Sequence, residues 1–149
     1  MDVPDWDVQN VVVGIDGSDQ SRHAARVSAD LARKNGAVLH FVTIVRPPEG
    51  WWGIVGSPPT PSALSKSLSE AQREILDSVV GSLDLEGMEV VQVEDVGDPA
   101  RMLLDYAEQV DADVMVIGRR GAGLIERIML GSVANRIVHD AQCPVLLVP

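Results

Sequence analysis

Residues 10–36 read NVVVGIDGSDQSRHAARVSADLARKNG. Asn10 to Ile15 is a β-branched apolar run, the pattern of a strand buried on both faces. Asp16-Gly17-Ser18-Asp19 is a turn that carries helix N-cap residues. Gln20 to Asn35 then sets Ala24, Val27, Leu31 and Ala32 at helical spacing. Gly36 supplies the residue that most easily takes the left-handed stop after a helix. A doubly buried strand that runs into a helix belongs in a parallel sheet, where crossover helices cover both faces.

Reading outward, Ala37–Val45 is a second buried strand. Arg46–Ser62 breaks the pattern with Pro47, Pro48, Pro58, Pro59 and Pro61 and with Gly50, Gly53 and Gly56. Such a stretch reads as a long loop, and it holds Trp51 and Trp52. Ala63–Leu83 is helical, with Leu64, Leu68, Ala71, Ile75 and Val79 on one side. Glu86-Gly87 is a turn. Met88–Val96 alternates, as a strand with one partly exposed face does. Asp98-Pro99 caps a helix over Ala100–Val110. Asp113–Ile117 is a buried strand, Leu124–Leu130 a short helix, Gly131–Ala141 a helix, and Pro144–Val148 the last strand.

This order predicts one α/β domain over residues 1–149, with a doubly wound parallel sheet and helices on both faces. There is no internal repeat and no second domain. Ligands of such sheets bind at the carboxyl ends of the strands, near the switch point. The first and fourth strands end at Asp16 and Gly118, so these ends are expected beside it.

Composition narrows the function. The chain has 149 residues and a formal net charge of −10, and its only lysines are Lys34 and Lys66. A duplex nucleic-acid binder needs a basic face to displace counterions, so neither nucleic acid nor an anionic membrane is an expected partner. No run approaches the ~20 apolar residues of a membrane span. Met1–Asn10 is acidic and does not read as a secretory signal. The single cysteine, Cys143, excludes an internal disulfide framework and a Cys-cluster metal site. The cytoplasm is the expected compartment. Against the acidic background, Gly118–Pro149 carries Arg119, Arg120, Arg127 and Arg136 but only Glu126 and Asp140. A local positive patch suits a small anion.

The stretch Gly118–Ser132, GRRGAGLIERIMLGS, leaves a strand and ends where a helix begins. Glycines let backbone approach a ligand, and successive N–H groups form an anion nest. The helix that follows Gly131 aims unsatisfied N–H groups and its positive dipole end at the same place. Ser132 adds a hydroxyl. A glycine-rich turn with no ligand is the plain alternative.

These residues resemble the ATP-binding branch of the universal stress protein family. The likeness runs through VVVGIDGS, FVTIVRPP, VGDPA, VIGRRG to LGSVA, and CPVLLVP, nearly the whole chain. The resemblance implies five strands in the order 3-2-1-4-5 and a homodimer through the last strand, Val145–Val148. It implies ATP, accompanied by Mg²⁺, as the ligand. Asp16 and the backbone around Ile44 would hold adenine, with Gly14 beneath it. Ile117 and Gly118 would face the ribose. Gly121, Gly131, Ser132 and Val133 would hold phosphates. Relatives carry a small residue at Arg119 and histidine at Thr43. Arg119 and its neighbour Arg120 are therefore either a phosphate clamp or solvent-facing side chains. The Trp51–Trp52 loop would cover the nucleotide or pack on the partner subunit.

Enzyme readings find less support. There is no Walker loop, no His-x-Gly-His signature and no Asp-x-Asp strand end, since Ser18 stands where the second carboxylate would be. His23, His40 and His139 share no metal-ligand spacing. Ser132 and His139 stand about 10.5 Å apart along one helix, too far for a nucleophile–base pair. The expected function is thus an ATP-binding stress-response regulator with slow or no hydrolysis, read by a partner protein not named by the sequence. A dimeric interaction protein without nucleotide, and a weak ATPase or phosphotransferase, remain as alternatives. No catalytic residue and no protein metal ligand is assigned.

Overall fold

The computed structural model describes residues 2–46, 61–120 and 130–149, with only the backbone at 61–65, 67 and 68. Trp51, Trp52, Gly121, Glu126, Arg127 and most of the expected short helix Leu124–Leu130 lie outside the described residues.

Among the described residues the elements are β1 (Asn10–Gly14), α1 (Asp19–Asn35), β2 (Val38–Val45), α2 (Pro61–Gly81), β3 (Val90–Val96), α3 (Pro99–Gln109), β4 (Val114–Gly118), α4 (Ser132–Asp140) and β5 (Val145–Val148). The five strands form one parallel sheet in the order β3-β2-β1-β4-β5. The expected fold is therefore the observed one. Helix α2 starts at Pro61, two residues before the expected Ala63, because proline is well suited to the first turn of a helix.

Alternation along β1 explains the two layers. Val11 and Val13 pack with Ala24, Ala25, Ala29 and Ala32 of α1 and with Leu76 and Val79 of α2. Val12 points the other way and packs with Leu103 and Ala107 of α3 and Ile137 of α4. Phe41, the sole phenylalanine, is fully buried in the α1–α2 layer. The α1 face is built almost wholly of alanine and serine, which lets the helix lie close over β1 and β4. Buried Ser28 satisfies its hydroxyl on the Ala24 carbonyl at 2.7 Å.

Local signals fix the helix ends. Ser18 caps α1, its side chain accepting from the Ser21 N–H at 3.1 Å. Gly36 ends that helix in the left-handed region, with φ 63°. Asp98 caps α3 and Pro99 follows it. The topology leaves the carboxyl ends of β1, β2 and β4 and the first turns of α3 and α4 around one opening.

Candidate functional site

Three strand ends form the floor of that opening. β1 gives Gly14 and then Ile15 and Asp16, β2 gives Val42 and Ile44, and β4 gives Ile117 and Gly118. The helices form the wall: Pro99 and Leu103 from α3, and Ser132, Val133 and Ala134 from α4, with Gly131 at its N-cap. Together with Ser21, Arg46 and Arg120 they enclose a cleft of about 410 Å³, within the ~300–1,000 Å³ usual for small-molecule sites.

Packing is close at two of these glycines. A Cβ on Gly14 would sit 3.1 Å from Leu103 Cδ1, itself a cleft residue. A Cβ on Gly118 would sit 2.9 Å from Gln20 Cβ and 3.1 Å from the Arg120 carbonyl oxygen. Gly118 thus lets the start of α1 press against the end of β4.

Asp16 is held by the turn that follows it. Its Oδ1 accepts from the Ser18 N–H at 2.9 Å and from the Ser18 hydroxyl at 2.5 Å. Gly17 makes this possible with φ 84°. The carboxylate is exposed at the rim, where it can take a hydrogen bond from a ligand N–H.

The far side is suited to an anion. Gly131 is the N-cap of α4 and provides no side-chain cap. Its own N–H donates to the Arg119 carbonyl at 3.0 Å, so it is already engaged within the protein. The first-turn N–H groups of Ser132, Val133 and Ala134 have no acceptor within the helix. They carry the positive end of the α4 dipole to the cleft. Among the described residues Arg120 and Arg46 are the cations of the lining and Asp16 its single carboxylate, a positive balance on an acidic chain.

Of the residues singled out by sequence, Gly14, Asp16, Ile44, Ile117, Gly118, Gly131, Ser132, Val133 and Arg120 meet at this cleft. Arg119 is not among its lining residues; its N–H is bonded to the Val148 carbonyl at 2.7 Å, extending the β4–β5 ladder. Thr43 is buried on the opposite face, where its carbonyl accepts from Gln72 Nε2 at 3.4 Å. Ile44, beside it on the strand, faces the cleft together with Val42. Sequence reading missed Ser21, Arg46, Pro99 and Leu103, and with them Ile15, Val42 and Ala134. The i, i+2 rule along Val42, Ile44 and Arg46 was the available signal for the second of these.

A second cavity, of about 550 Å³, lies between the later turns of α3 and α4. Asp105, Glu108, Asp111 and Asp140 line it beside Arg101 and Arg136. Four carboxylates against two guanidiniums make it unfavourable for phosphate, and it lies away from the strand carboxyl ends. Cys143 also lines it, with a thiol pKa pushed up by burial, so its thiolate is disfavoured. Among the described residues no group of three or more His, Cys, Asp or Glu side chains could hold a metal ion, and no helix is long and apolar enough to cross a membrane.

Known proteins share this architecture. A universal stress protein of Methanocaldococcus jannaschii is 32% identical over 147 residues, covering 94% of this chain and 81% of that protein. A universal stress protein solved in complex with cAMP superposes with a TM-score of 0.65 at 27% identity, over 95% of this chain and 96% of the other. One from Archaeoglobus fulgidus in complex with dAMP gives a TM-score of 0.67 at 25% identity, over 96% and 99%. The model of the universal stress protein family matches residues 7–149, and the chain belongs to that family.

Proposed function

We propose that this protein is a stress-response regulator that binds ATP in the cleft at the ends of β1, β2 and β4, with the bound nucleotide acting as a signal. The observation that carries the reading is the pairing of two unlike surfaces in one cleft. Val42, Ile44, Leu103 and Ile117 offer an apolar slot for a base, and the first turn of α4 offers N–H groups for phosphate. The similarity to proteins solved with cAMP and dAMP supports an adenine nucleotide.

In this reading Asp16 accepts from the base, Gly14 and Ile44 hold its faces, and Ile117 and Gly118 flank the ribose. Gly121, Gly131, Ser132 and Val133 surround the phosphates, with Arg120 beside them. Mg²⁺ would be carried by the phosphate oxygens, water and the Ser132 hydroxyl, since Asp16 is the sole carboxylate among the described lining residues and is held by Ser18. The protein acts as a cytoplasmic homodimer paired through β5, and its nucleotide state is read by a protein partner. Leu146 on that edge strand is 39% exposed and Val138 on α4 is 47% exposed, an apolar edge suited to a second copy.

The test is mass spectrometry of the purified, denatured protein together with calorimetric titration by ATP. Co-purified adenine nucleotide, or saturable ATP binding, is the expected result. A folded protein that neither carries nor binds nucleotide would establish the interaction-protein alternative.

A further inference from the structure

β2 sends alternate residues to the cleft. Val42 and Ile44 line it, and Arg46, the next residue in that alternation and one beyond the strand end, lines it too. The Arg46 side chain is 62% exposed and, among the described residues, makes one long contact, Nη2 to Asp98 Oδ1 at 3.4 Å. Asp98 has better partners. Its Oδ2 accepts from Arg136 Nη1 at 2.8 Å and from the Arg101 N–H at 3.3 Å as the cap of α3. Asp98 therefore keeps an ion pair and its capping role if Arg46 moves away. A guanidinium has five donors in a planar fork that suits phosphate oxygens, and this one spends a single donor on a weak bond.

The position is also right. Asp98 ties Arg46 toward Arg136, which stands on α4 about one turn beyond Ser132. Arg120 enters the same cleft from the end of β4. The cleft onto which the first turn of α4 opens is thus lined by two guanidiniums, one just beyond β4 and one just beyond β2.

We propose that Arg46 is a phosphate-contact residue of this cleft, which exchanges its bond to Asp98 for a phosphate oxygen of the bound nucleotide. The proposal rests on the nucleotide-binding reading above and adds a cation from outside the glycine loop. Asp98 acts as a positioning residue: it holds the guanidinium at the rim and competes with the ligand for it.

Calorimetry with adenosine, AMP and ATP tests both parts. Arg46→Gln should lower AMP and ATP affinity about tenfold, the scale of one charge-assisted hydrogen bond, and leave adenosine affinity unchanged. Arg46→Lys should recover part of the loss. Asp98→Asn retains a capping side chain and should tighten AMP binding when Arg46 is present but not in the Arg46→Gln background. If the wild type binds AMP and Arg46→Gln binds it equally well, the Arg46 proposal falls while the nucleotide reading stands. Equal loss for adenosine and AMP would overturn it as well, since the guanidinium would then be stacking on the base. An Asp98→Asn effect that persists without Arg46 overturns the exchange. A wild type that binds none of the three probes removes the nucleotide reading and the proposal together.

Discussion

The Gly131 N–H donates to the Arg119 carbonyl at 3.0 Å, joining the end of β4 to the start of α4. This bond closes the glycine loop at its base and sets the first turn of α4 at the cleft. Gly131 is buried, with φ −60° and ψ 155°, so a left-handed backbone is not what demands glycine.

Replacing Gly131 with tryptophan puts an indole where phosphate must approach, while its backbone angles suit any residue. The expected result is a loss of ATP affinity of at least about a hundredfold, the order of two lost hydrogen bonds, with the far-UV circular dichroism unchanged. Equal affinity in the folded variant would exclude phosphate from this turn.

Gly118→Ala tests packing and not binding. Its methyl would stand 2.9 Å from Gln20 Cβ, and both that atom and the Arg120 carbonyl belong to chain that is held in place. Overpacking of this kind costs about 1–3 kcal/mol. Urea denaturation should show a lower midpoint with an unchanged slope. A wild-type midpoint would mean that α1 yields without cost.

Much of this arrangement could be read in the residues themselves. The β-branched runs, the caps Ser18 and Asp98 and the stop at Gly36 are local signals, and each element agrees with its neighbours, so the doubly wound parallel fold followed from them, while the strand order came with the resemblance. Gly14 and Ile44 came with the resemblance, while Asp16 and Gly118 as strand ends and Gly131 as a helix start were legible in the residues themselves. Arg46 was not, because it opens a proline-rich stretch and so reads as the start of a loop. Leu103 and Pro99 were not, because their place in the cleft depends on where α3 packs. Arg119 and Arg120 are adjacent and alike in type; only the β4–β5 ladder separates the one that reaches the cleft from the one that does not.

His40 gives the fold a pH dependence. Its ring is buried on β2, with Nε2 donating to Asn10 Oδ1 at 3.0 Å and Nδ1 accepting from the Tyr106 hydroxyl at 2.8 Å. Burial lowers its pKa below the ordinary 6.5, and Glu89 opposes this in part. The native state therefore holds the neutral ring, and the unfolded state takes up a proton first as pH falls. This contribution is complete above pH 6.5 and is lost as pH drops from there toward the folded value. His40→Gln should show a shallower fall in urea stability between about pH 7.5 and pH 5, by up to 1.4 kcal/mol per unit. Parallel curves for the two proteins would show that His40 does not govern it.

Leu146→Glu tests the edge of β5. Leu146 is already partly exposed, so a carboxylate there is tolerable in a monomer and costly in a dimer that pairs this edge. Light scattering should report a dimer for the wild type and a monomer for the variant, both with native circular dichroism. A monomeric wild type at micromolar concentration would remove β5 pairing.

The last prediction is that bound ATP turns over slowly or not at all. Fast hydrolysis needs a group that orients the attacking water as well as charge on the transferring phosphoryl group. The cleft has the second: the α4 N-terminus and Arg120. For the first, the described lining offers one carboxylate, Asp16, and Ser18 bonds its Oδ1 twice. Asp16 also stands in the turn between β1 and α1, whereas the N–H groups for phosphate are those of α4. Glu126 lies within the glycine stretch and is the remaining local candidate, outside the described residues. Binding the ground state without such a group yields affinity and little rate, and a nucleotide that persists can bias a partner-recognised state through differential affinity. Single-turnover hydrolysis, with protein in excess of labelled ATP, decides the matter. The expected rate is far below the ~1 s⁻¹ at the lower end of typical enzymes. A rate of that order that vanishes in Glu126→Gln would make this an ATPase with Glu126 as its water-orienting base.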